Sequence, residues 1–361
     1  MSQRIVAALV AAALGLSAPI ANASQSEWES SVPESFGIND PSCVPSGQIV
    51  EPVVLLHGTY NNAGVWKSLI PMLKDQGACV WAFDYGADDV SLQNASPSTK
   101  AISDLDDAAE EIAQHVDYVR AVTGAEKVDL VGHSQGGTHI KTYTQMYGGA
   151  EHVARAVALG GNFHGTTLNG QGEGLSKFIA FAPRLAAFLA STAGIQQVVG
   201  SEFMQRLNAL PDTAPGVLYT SIYSPADTTV TPNSSSQLAA VDGADVVNLD
   251  LSEVCGVAPR HDKLPTDWTV LSQVIFGLKR APGEGPDPST CVSEGGADKR
   301  GLERAAGPLN VNFDTQNGER QVNLQESHWC SFMAVRRCGQ HVGSRGVPSW
   351  EYHDCNYYIL C

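Results

Sequence analysis

Short apolar runs alternate with amphipathic stretches over most of the first 280 residues. "EPVVLLHG" (51–58) and "ACVWAFDYG" (78–86) are continuous apolar runs that end in glycine, which is typical of buried parallel strands. Between them, "VWKSLIPMLKDQG" has the apolar spacing of a helix despite Pro71. Similar patterns predict strands at 127–131, 154–161, 216–224 and 245–251 and helices at 104–122, 135–147 and 266–279. This order predicts a mostly parallel sheet with helices on both faces.

The N-terminal apolar segment is of a different kind. Arg4 precedes an apolar run from Ile5 to Ile20, and Ala21-Asn22-Ala23 has the A-x-A form of a cleavage site. We interpret residues 1–23 as a secretory signal peptide and expect a secreted, extracellular protein that begins at Ser24. In an oxidising compartment, the eight cysteines favour disulfides.

Composition excludes several classes of partner. The formal net charge of −16 argues against nucleic-acid binding, which needs clustered Lys and Arg, and against electrostatic adhesion to anionic lipid. His328, His341 and His353 lie among the C-terminal cysteines, but no paired C-x-x-C spacing accompanies them. We therefore predict no metal site.

A change in composition divides the chain. We predict an α/β domain over residues 24–280, with an insertion at about 165–215. The stretch that follows is rich in Gly, Pro and charge, which indicates a linker over 281–301. Residues 302–361 are dense in cysteine and aromatic residues, as in a small disulfide-rich module. Its aromatic residues form either a small core or a binding face for polymer or glycan.

Ser134 is the candidate nucleophile. It stands in the G-x-S-x-G sequence of "KVDLVGHSQGGTHI" (127–140), between a predicted strand and a predicted helix. Such a motif arises easily by chance, so its placement carries the interpretation. A sharp strand-to-helix turn exposes the serine hydroxyl, which then needs a base and an oxyanion site.

The base and the acid follow from chain order. In a triad of this type the acid comes after the serine and the histidine comes last. His261 lies in the loop before the last helix, where the alternative is an ordinary surface histidine. Asp227 follows the strand 216–224 directly and is placed to orient His261. The weaker candidates are His57, His133, His139, His152, His164, Asp212, Asp245 and Asp250.

Two backbone donors are needed for the oxyanion. The N–H of Gln135, the residue after the nucleophile, is one of them. Thr59 or Tyr60, in the loop "LLHGTYNN", supplies the other, and Thr59 also offers its hydroxyl.

Several segments together resemble a known family. Over residues 43–279 the chain resembles the secreted class 2 lipases and EstA-like esterases of actinobacteria. The segments that carry the resemblance are "PVVLLHGTYNNAGVW", "VDLVGHSQGG", "FHGTTLNG", "QQVVGSEFMQRLNA" and "YSPADTTVTP". Where the family's histidine segment reads "EHLGL", this chain has "RHDKL", and the tail after residue 280 has no counterpart.

The resemblance implies an α/β-hydrolase fold and action on carboxylic esters, often triacylglycerols. It implies a triad of Ser134, Asp227 and His261, with Thr59 and Gln135 as oxyanion donors. It also implies a disulfide between Cys43 and Cys79. Fifteen connectivities are then open to Cys255, Cys291, Cys330, Cys338, Cys355 and Cys361.

The insertion contains an apolar segment, "LSKFIAFAPRLAAFLAST" (175–192). Its large apolar residues recur at steps of three and four, namely Phe178, Phe181, Leu185, Phe188 and Leu189. It is either a mobile lid that meets lipid or a fixed cap helix buried on the sheet. Both alternatives predict an apolar acyl chain.

The sequence therefore predicts a secreted serine ester hydrolase, first of all a triacylglycerol lipase. It would act on lipid or another apolar ester, at a lipid–water interface, through an acyl-enzyme and without a metal or organic cofactor. An acyltransferase or polyester depolymerase with the same triad is the close alternative. A non-catalytic binding protein that uses the C-terminal module is the alternative from another class. Chain-length preference and oligomeric state stay open.

Overall fold

The computed structural model describes residues 29–87 and 90–293, together with four short strands of the C-terminal region. The predicted signal peptide, the later part of the predicted linker and most of the predicted C-terminal module lie outside the described residues. The chain divides into two compact units, Met1–Asp298 and Lys299–Cys361.

A six-stranded parallel sheet organises the first unit. Its order is β2-β1-β3-β4-β5-β6, so β2 and β6 are the edges and β3 and β4 lie in the middle. The bounds are β1 Val53–Leu56, β2 Val80–Ala82, β3 Val128–His133, β4 Val153–Leu159, β5 Leu218–Tyr223 and β6 Asp245–Asp250. All six predicted strands are present, and the predicted α/β architecture is confirmed.

Helices pack on both faces because alternate strand residues point in opposite directions. Val53 and Leu55 join one apolar core with α1 and α9, while Val54 and Leu56 join a second core with α2 and α3. The helix bounds are α1 Leu69–Asp75, α2 Leu105–Thr123, α3 Gln135–Met146, α4 Gly172–Phe181, α5 Pro183–Ala190, α6 Thr192–Gln196, α7 Glu202–Asn208, α8 Leu251–Cys255 and α9 Trp268–Lys279. Among the described residues, none of the helices has the length and apolar character needed to cross a bilayer.

The insertion between β4 and β5 forms a cap of four short helices, α4 to α7. The apolar segment at 175–192 is two helices rather than one, because Pro183 begins α5 directly after a break at Ala182. Four of its five large apolar side chains are exposed, Phe181 to 89%, Leu185 to 50%, Leu189 to 45% and Phe188 to 41%. The expectation of a cap helix buried on the sheet is therefore wrong.

Two disulfides reinforce the first unit. Cys43 is bonded to Cys79, as the family resemblance implied, and Cys255 is bonded to Cys291. The second bond ties the middle of the predicted linker back to α8. Each bond joins residues 36 positions apart, a loop whose closure stabilises the fold by about 3–4 kcal/mol in the chain-entropy account.

The C-terminal unit contains two antiparallel strand pairs among its described residues. β7 (Phe313–Asp314) pairs with β8 (Gln321–Val322), and β9 (Ala334–Cys338) pairs with β10 (Cys355–Ile359). The register of the second pair sets Cys355 opposite Cys338.

Asp129 is a buried acid at the start of β3, far along the strand from its carboxyl end. Its side chain is fully buried, and burial raises the pKa of its carboxyl to about 8, although the charge of Arg155 opposes the rise. The folded protein therefore binds this proton more tightly than the unfolded chain does. The stability that Asp129 contributes is complete below about pH 4 and is lost as the pH rises towards 8.

We expect Asp129→Asn to remove this loss, because an amide does not ionise. The free energy of unfolding of the variant should match that of the wild type near pH 4. From there to pH 8 it should exceed the wild-type value by roughly 1.4 kcal/mol more for each pH unit. Urea unfolding across this pH range measures it. Asp242→Asn, at an exposed carboxylate, is the control for replacing a carboxylate by an amide. A constant difference between Asp129→Asn and wild type would contradict the expectation.

Candidate functional site

Ser134 lies on a strained turn between β3 and α3. Its backbone has φ 56° and ψ −115°, a region that costs a non-glycine residue about 1–3 kcal/mol. Strand and helix approach so closely that a Cβ on Gly132 would lie 2.5 Å from the Gly136 carbonyl oxygen, and one on Gly136 would lie 2.2 Å from the Leu56 oxygen. The two glycines of the motif are therefore required by close packing, and the turn presents the serine at the carboxyl edge of the sheet.

The carboxyl ends of β3, β4 and β5 meet at this edge. The Ser134 N–H donates to the Leu159 oxygen at 3.0 Å, and the Gly160 N–H donates to the Ile222 oxygen at 2.8 Å. The loop after β5 carries Asp227, and the loop before α9 carries His261. In an open parallel sheet this edge is where ligands bind.

Asp227 and His261 are in direct contact. Asp227 Oδ2 is 2.6 Å from His261 Nδ1, while Asp227 Oδ1 accepts the backbone N–H groups of Thr229 and Val230 at 2.7 and 3.0 Å. The Asp227 side chain is only 2% exposed and that of His261 11%. The carboxylate is thus fixed at both oxygens and holds the imidazole by Nδ1, which leaves Nε2 as the nitrogen available to act as a base.

Ser134 follows β3 directly, and His261 lies in the loop between α8 and α9. Across residues 29–87 and 90–293, no hydrogen bond joins the Ser134 hydroxyl to His261. Gly160 stands beside the Asp227–His261 pair, since a Cβ placed on it would lie 3.2 Å from Asp227 Oδ2 and from His261 Nδ1. The structure thus brings Asp227 to His261 and both to the strand end beside Ser134.

The predicted oxyanion residues lie next to Ser134. Gln135 is the first residue of α3, so its N–H has no acceptor within the helix. The loop after β1 approaches from the other side, and a Cβ on Gly58 would lie 3.1 Å from Ser134 Cβ. Thr59 follows in this loop. Tyr60, the alternative backbone donor to Thr59, has φ 62°, and its side-chain hydroxyl donates to the Ala190 oxygen at the end of α5.

The Thr59 hydroxyl is held by two amides. Gln135 Nε2 donates to Thr59 Oγ1 at 3.0 Å, and Gln197 Nε2 donates to the same oxygen at 2.7 Å. Gln197 follows α6 in the cap and was not among the residues singled out from sequence. It lies in the segment "QQVVGSEFMQRLNA", so the family resemblance was the one signal that pointed to its region.

Three of the histidines set aside from sequence have structural partners. His57 stacks on Tyr85 with ring centroids 4.2 Å apart, and burial lowers its pKa to about 4. His139 is buried against Gln135 Oε1 at 3.3 Å, and burial lowers its pKa to about 3. His164 binds Asp212 at 2.9 Å. These groups hold loops and helices in place.

The carboxylates set aside from sequence are also engaged. Asp212 binds the buried Lys141 at 2.8 Å, and these partners lower its carboxyl pKa against the effect of burial. Asp245 pairs with the buried Arg280 at 2.7 Å. Asp250 caps α8. In the described part of the chain, no three His, Cys, Asp or Glu side chains converge as a metal-binding set requires.

Comparison with known proteins agrees with this architecture. A family model for the α/β hydrolase fold matches residues 51–234, more than half of the chain, and the protein belongs to that family. Lipase B of Aspergillus fumigatus has a similar structure, with 23% identity and a TM-score of 0.51, over 67% of this chain and 56% of that one. A Bacillus licheniformis lipase in its propeptide form has 17% identity and a TM-score of 0.50, over 68% of this chain and 54% of that one.

The chain thus covers little more than half the length of each of these two solved structures. At these identities the likeness shows the fold.

The space beside Gly160 can be tested with a matched glycine. Gly160 and Gly124 have φ of 52° and 72°, but a Cβ on Gly124 would meet nothing within 4 Å. We expect Gly124→Ala to lose about 1–2 kcal/mol from backbone strain alone. Gly160→Ala should lose about 1–3 kcal/mol more, because its methyl group crowds Leu264 and the Asp227–His261 pair.

Urea unfolding of both variants measures the two losses, and the NMR signal of the His261 Nδ1 proton reports on the contact with Asp227. Only Gly160→Ala should shift that signal. Equal losses of stability together with an unchanged signal would mean that the pair tolerates a methyl group at this position.

Proposed function

We propose that the protein is a serine ester hydrolase in which Ser134 is the nucleophile, His261 the general base and Asp227 the acid that orients it. The observation that carries the proposal is the 2.6 Å contact of Asp227 Oδ2 with His261 Nδ1, at the strand end beside the strained Ser134 turn. An acid and a base held in this way, next to a serine on a sharp strand-to-helix turn, suit acyl transfer.

The proposed reaction follows from these positions. His261 accepts the Ser134 proton at Nε2 as Oγ attacks the ester carbonyl, and the imidazolium is stabilised by Asp227. The protonated histidine then donates to the leaving alcohol, and water releases the acid by the same route. The absence of a Ser134–His261 hydrogen bond among the described residues is compatible with this role, because such contacts are often long before substrate binds.

The proposed oxyanion hole combines the N–H groups of Gln135 and Thr59. The Thr59 hydroxyl adds a third donor. Its oxygen already accepts two amide protons, and the part of the chain that the structure describes holds no acceptor for its own hydrogen. A donor oriented before substrate arrives stabilises developing negative charge without reorganisation.

The cap supports an apolar ester as substrate. Ser134 is only 8% exposed, whereas Phe181, Leu185, Phe188 and Leu189 present an apolar surface on α4 and α5. The end of α5 is tied to neighbouring loops, since Tyr60 donates to the Ala190 oxygen and Gln93 donates to the Leu189 oxygen at 2.7 Å. We propose that α4 and α5 form a lid that meets a lipid–water interface and uncovers Ser134.

Within this proposal the protein is a triacylglycerol lipase of the secreted class 2 and EstA-like type. Residues 1–23 are its signal peptide, 24–280 its catalytic domain, 281–301 its linker and 302–361 a separate cysteine-rich module. The two similar structures, both lipases, favour this substrate class.

The triad is tested by Ser134→Ala assayed on p-nitrophenyl butyrate and palmitate. We expect wild-type turnover and a loss of kcat of at least about 10⁴-fold in the variant. Ser289→Ala, at an exposed serine outside the site, is the matched control and should keep wild-type activity. A folded wild type that cleaves neither ester would overturn the hydrolase proposal and favour an acyltransferase or a binding protein.

The lid is tested by Phe181→Ser. The side chain is 89% exposed, so the change should leave stability within about 0.5 kcal/mol. We expect turnover of emulsified palmitate ester to fall several-fold more than that of dissolved butyrate ester, since less apolar area enters the interface. Val44→Ser, at an 80% exposed residue outside the cap, controls for the loss of an exposed apolar group. Equal losses on both esters would count against the lid.

A further inference from the structure

His133 reaches the main chain of the proposed base. It is the last residue of β3 and precedes Ser134 directly. Its Nε2 lies 3.1 Å from the carbonyl oxygen of His261, and the two rings lie with centroids 4.8 Å apart. The residue is only 5% exposed.

The acceptor determines the tautomer of His133. A carbonyl oxygen only accepts, so Nε2 carries the hydrogen. Nδ1 is then unprotonated, and it has no hydrogen-bond partner in the described part of the chain. A second proton would bury an unsatisfied N–H next to His261, and burial accordingly lowers the pKa of His133 well below its usual value. His133 is a neutral donor in this position.

The bond completes the positioning of the His261 side chain. Asp227 fixes the ring at Nδ1, but one contact leaves the ring free to swing with its backbone. The His261 oxygen accepts from His133 Nε2 and, at 3.3 Å, from the Leu264 N–H. Because His133 adjoins Ser134 in the chain, its bond ties the base to the same strand end that carries the nucleophile.

The oxyanion loop packs against the same ring. A Cβ on Gly58 would lie 3.0 Å from His133 Nδ1 and 3.1 Å from Ser134 Cβ, so this glycine leaves room for both residues. The ring of His133 therefore lies between the loop after β1 and the His261 loop. The face of the His133 ring packs against the His261 ring, and its Nε2–H donates a hydrogen bond to the His261 carbonyl oxygen.

We propose that His133 is a positioning residue: its Nε2–H, bonded to the His261 carbonyl, holds the proposed base in register with Ser134. This inference rests on the proposed function, in which His261 is the base. A displacement of about 1 Å in such an arrangement costs on the order of 10²-fold in rate, so the bond matters for turnover more than for substrate binding.

Three substitutions of His133 distinguish the role of its hydrogen-bond donor from the role of its ring in packing. In His133→Gln the amide nitrogen stands about as far along the side chain as Nε2. In His133→Asn it is one bond shorter and falls short of the carbonyl. His133→Phe keeps a ring and removes the donor. kcat and KM for p-nitrophenyl butyrate are measured for each variant, with Tm as the measure of folding.

We expect kcat to fall about tenfold or more in His133→Phe and His133→Asn with little change in KM. His133→Gln should recover most of the lost kcat even though it lacks the ring. A packing role would give the reverse order, with Phe close to wild type and Gln as impaired as Asn. That order, or wild-type kcat in all three variants, would overturn the inference.

An NMR measurement tests the inference without catalysis. In the wild-type protein at neutral pH, nitrogen-15 spectra should show His133 as the neutral Nε2–H tautomer with a proton protected from exchange. An Nδ1–H tautomer, an imidazolium or a rapidly exchanging proton would overturn it. If wild type cleaves no ester while this tautomer is observed, the proposed function has failed and the contact with His261 stands.

Discussion

The close approach of β3, α3 and β1 at Ser134 is the constraint on which the site depends. Gly132 and Gly136 leave no space for a Cβ between the strand, the helix and the Leu56 carbonyl. The chain can therefore reverse from strand to helix within one residue, and that residue takes a strained backbone conformation. The packing of the two core layers on the sheet supplies the stability that holds this strain.

The other parts of the site are arranged around this turn by polar contacts between loops. Asp227 and His261 come from loops after β5 and before α9, and the loop after β1 closes against Ser134. Buried polar groups in such a place are costly unless they are paired. The pairs that satisfy them, such as Gln197 with Thr59 and His133 with the His261 carbonyl, are also those that fix the geometry.

The cap differs from the site in that its apolar side chains are exposed to solvent. The helices α4 and α5 leave large apolar side chains in solvent, while the serine beneath the site's loops is nearly buried. Exposed apolar patches of this kind mark surfaces that meet a partner or a membrane. The buried Arg280 stabilises the other edge of the sheet, where it pairs with Asp245 at the start of β6.

The sequence by itself determined the strands, the principal helices and the position of Ser134, because these depend on local periodicity and on a motif at a strand-to-helix junction. The order of the residues along the chain was enough to select Asp227 as the acid and His261 as the base, and the structure places these two side chains in contact. The tertiary structure alone decided the rest. Thr59 and Gln197 are 138 residues apart, and His133 and His261 are 128 apart, so no local pattern records their pairing.

The same reason explains the Cys255–Cys291 bond and the outward face of the cap. Periodicity places apolar residues on one side of a helix, but only packing decides whether that side meets the core or the solvent.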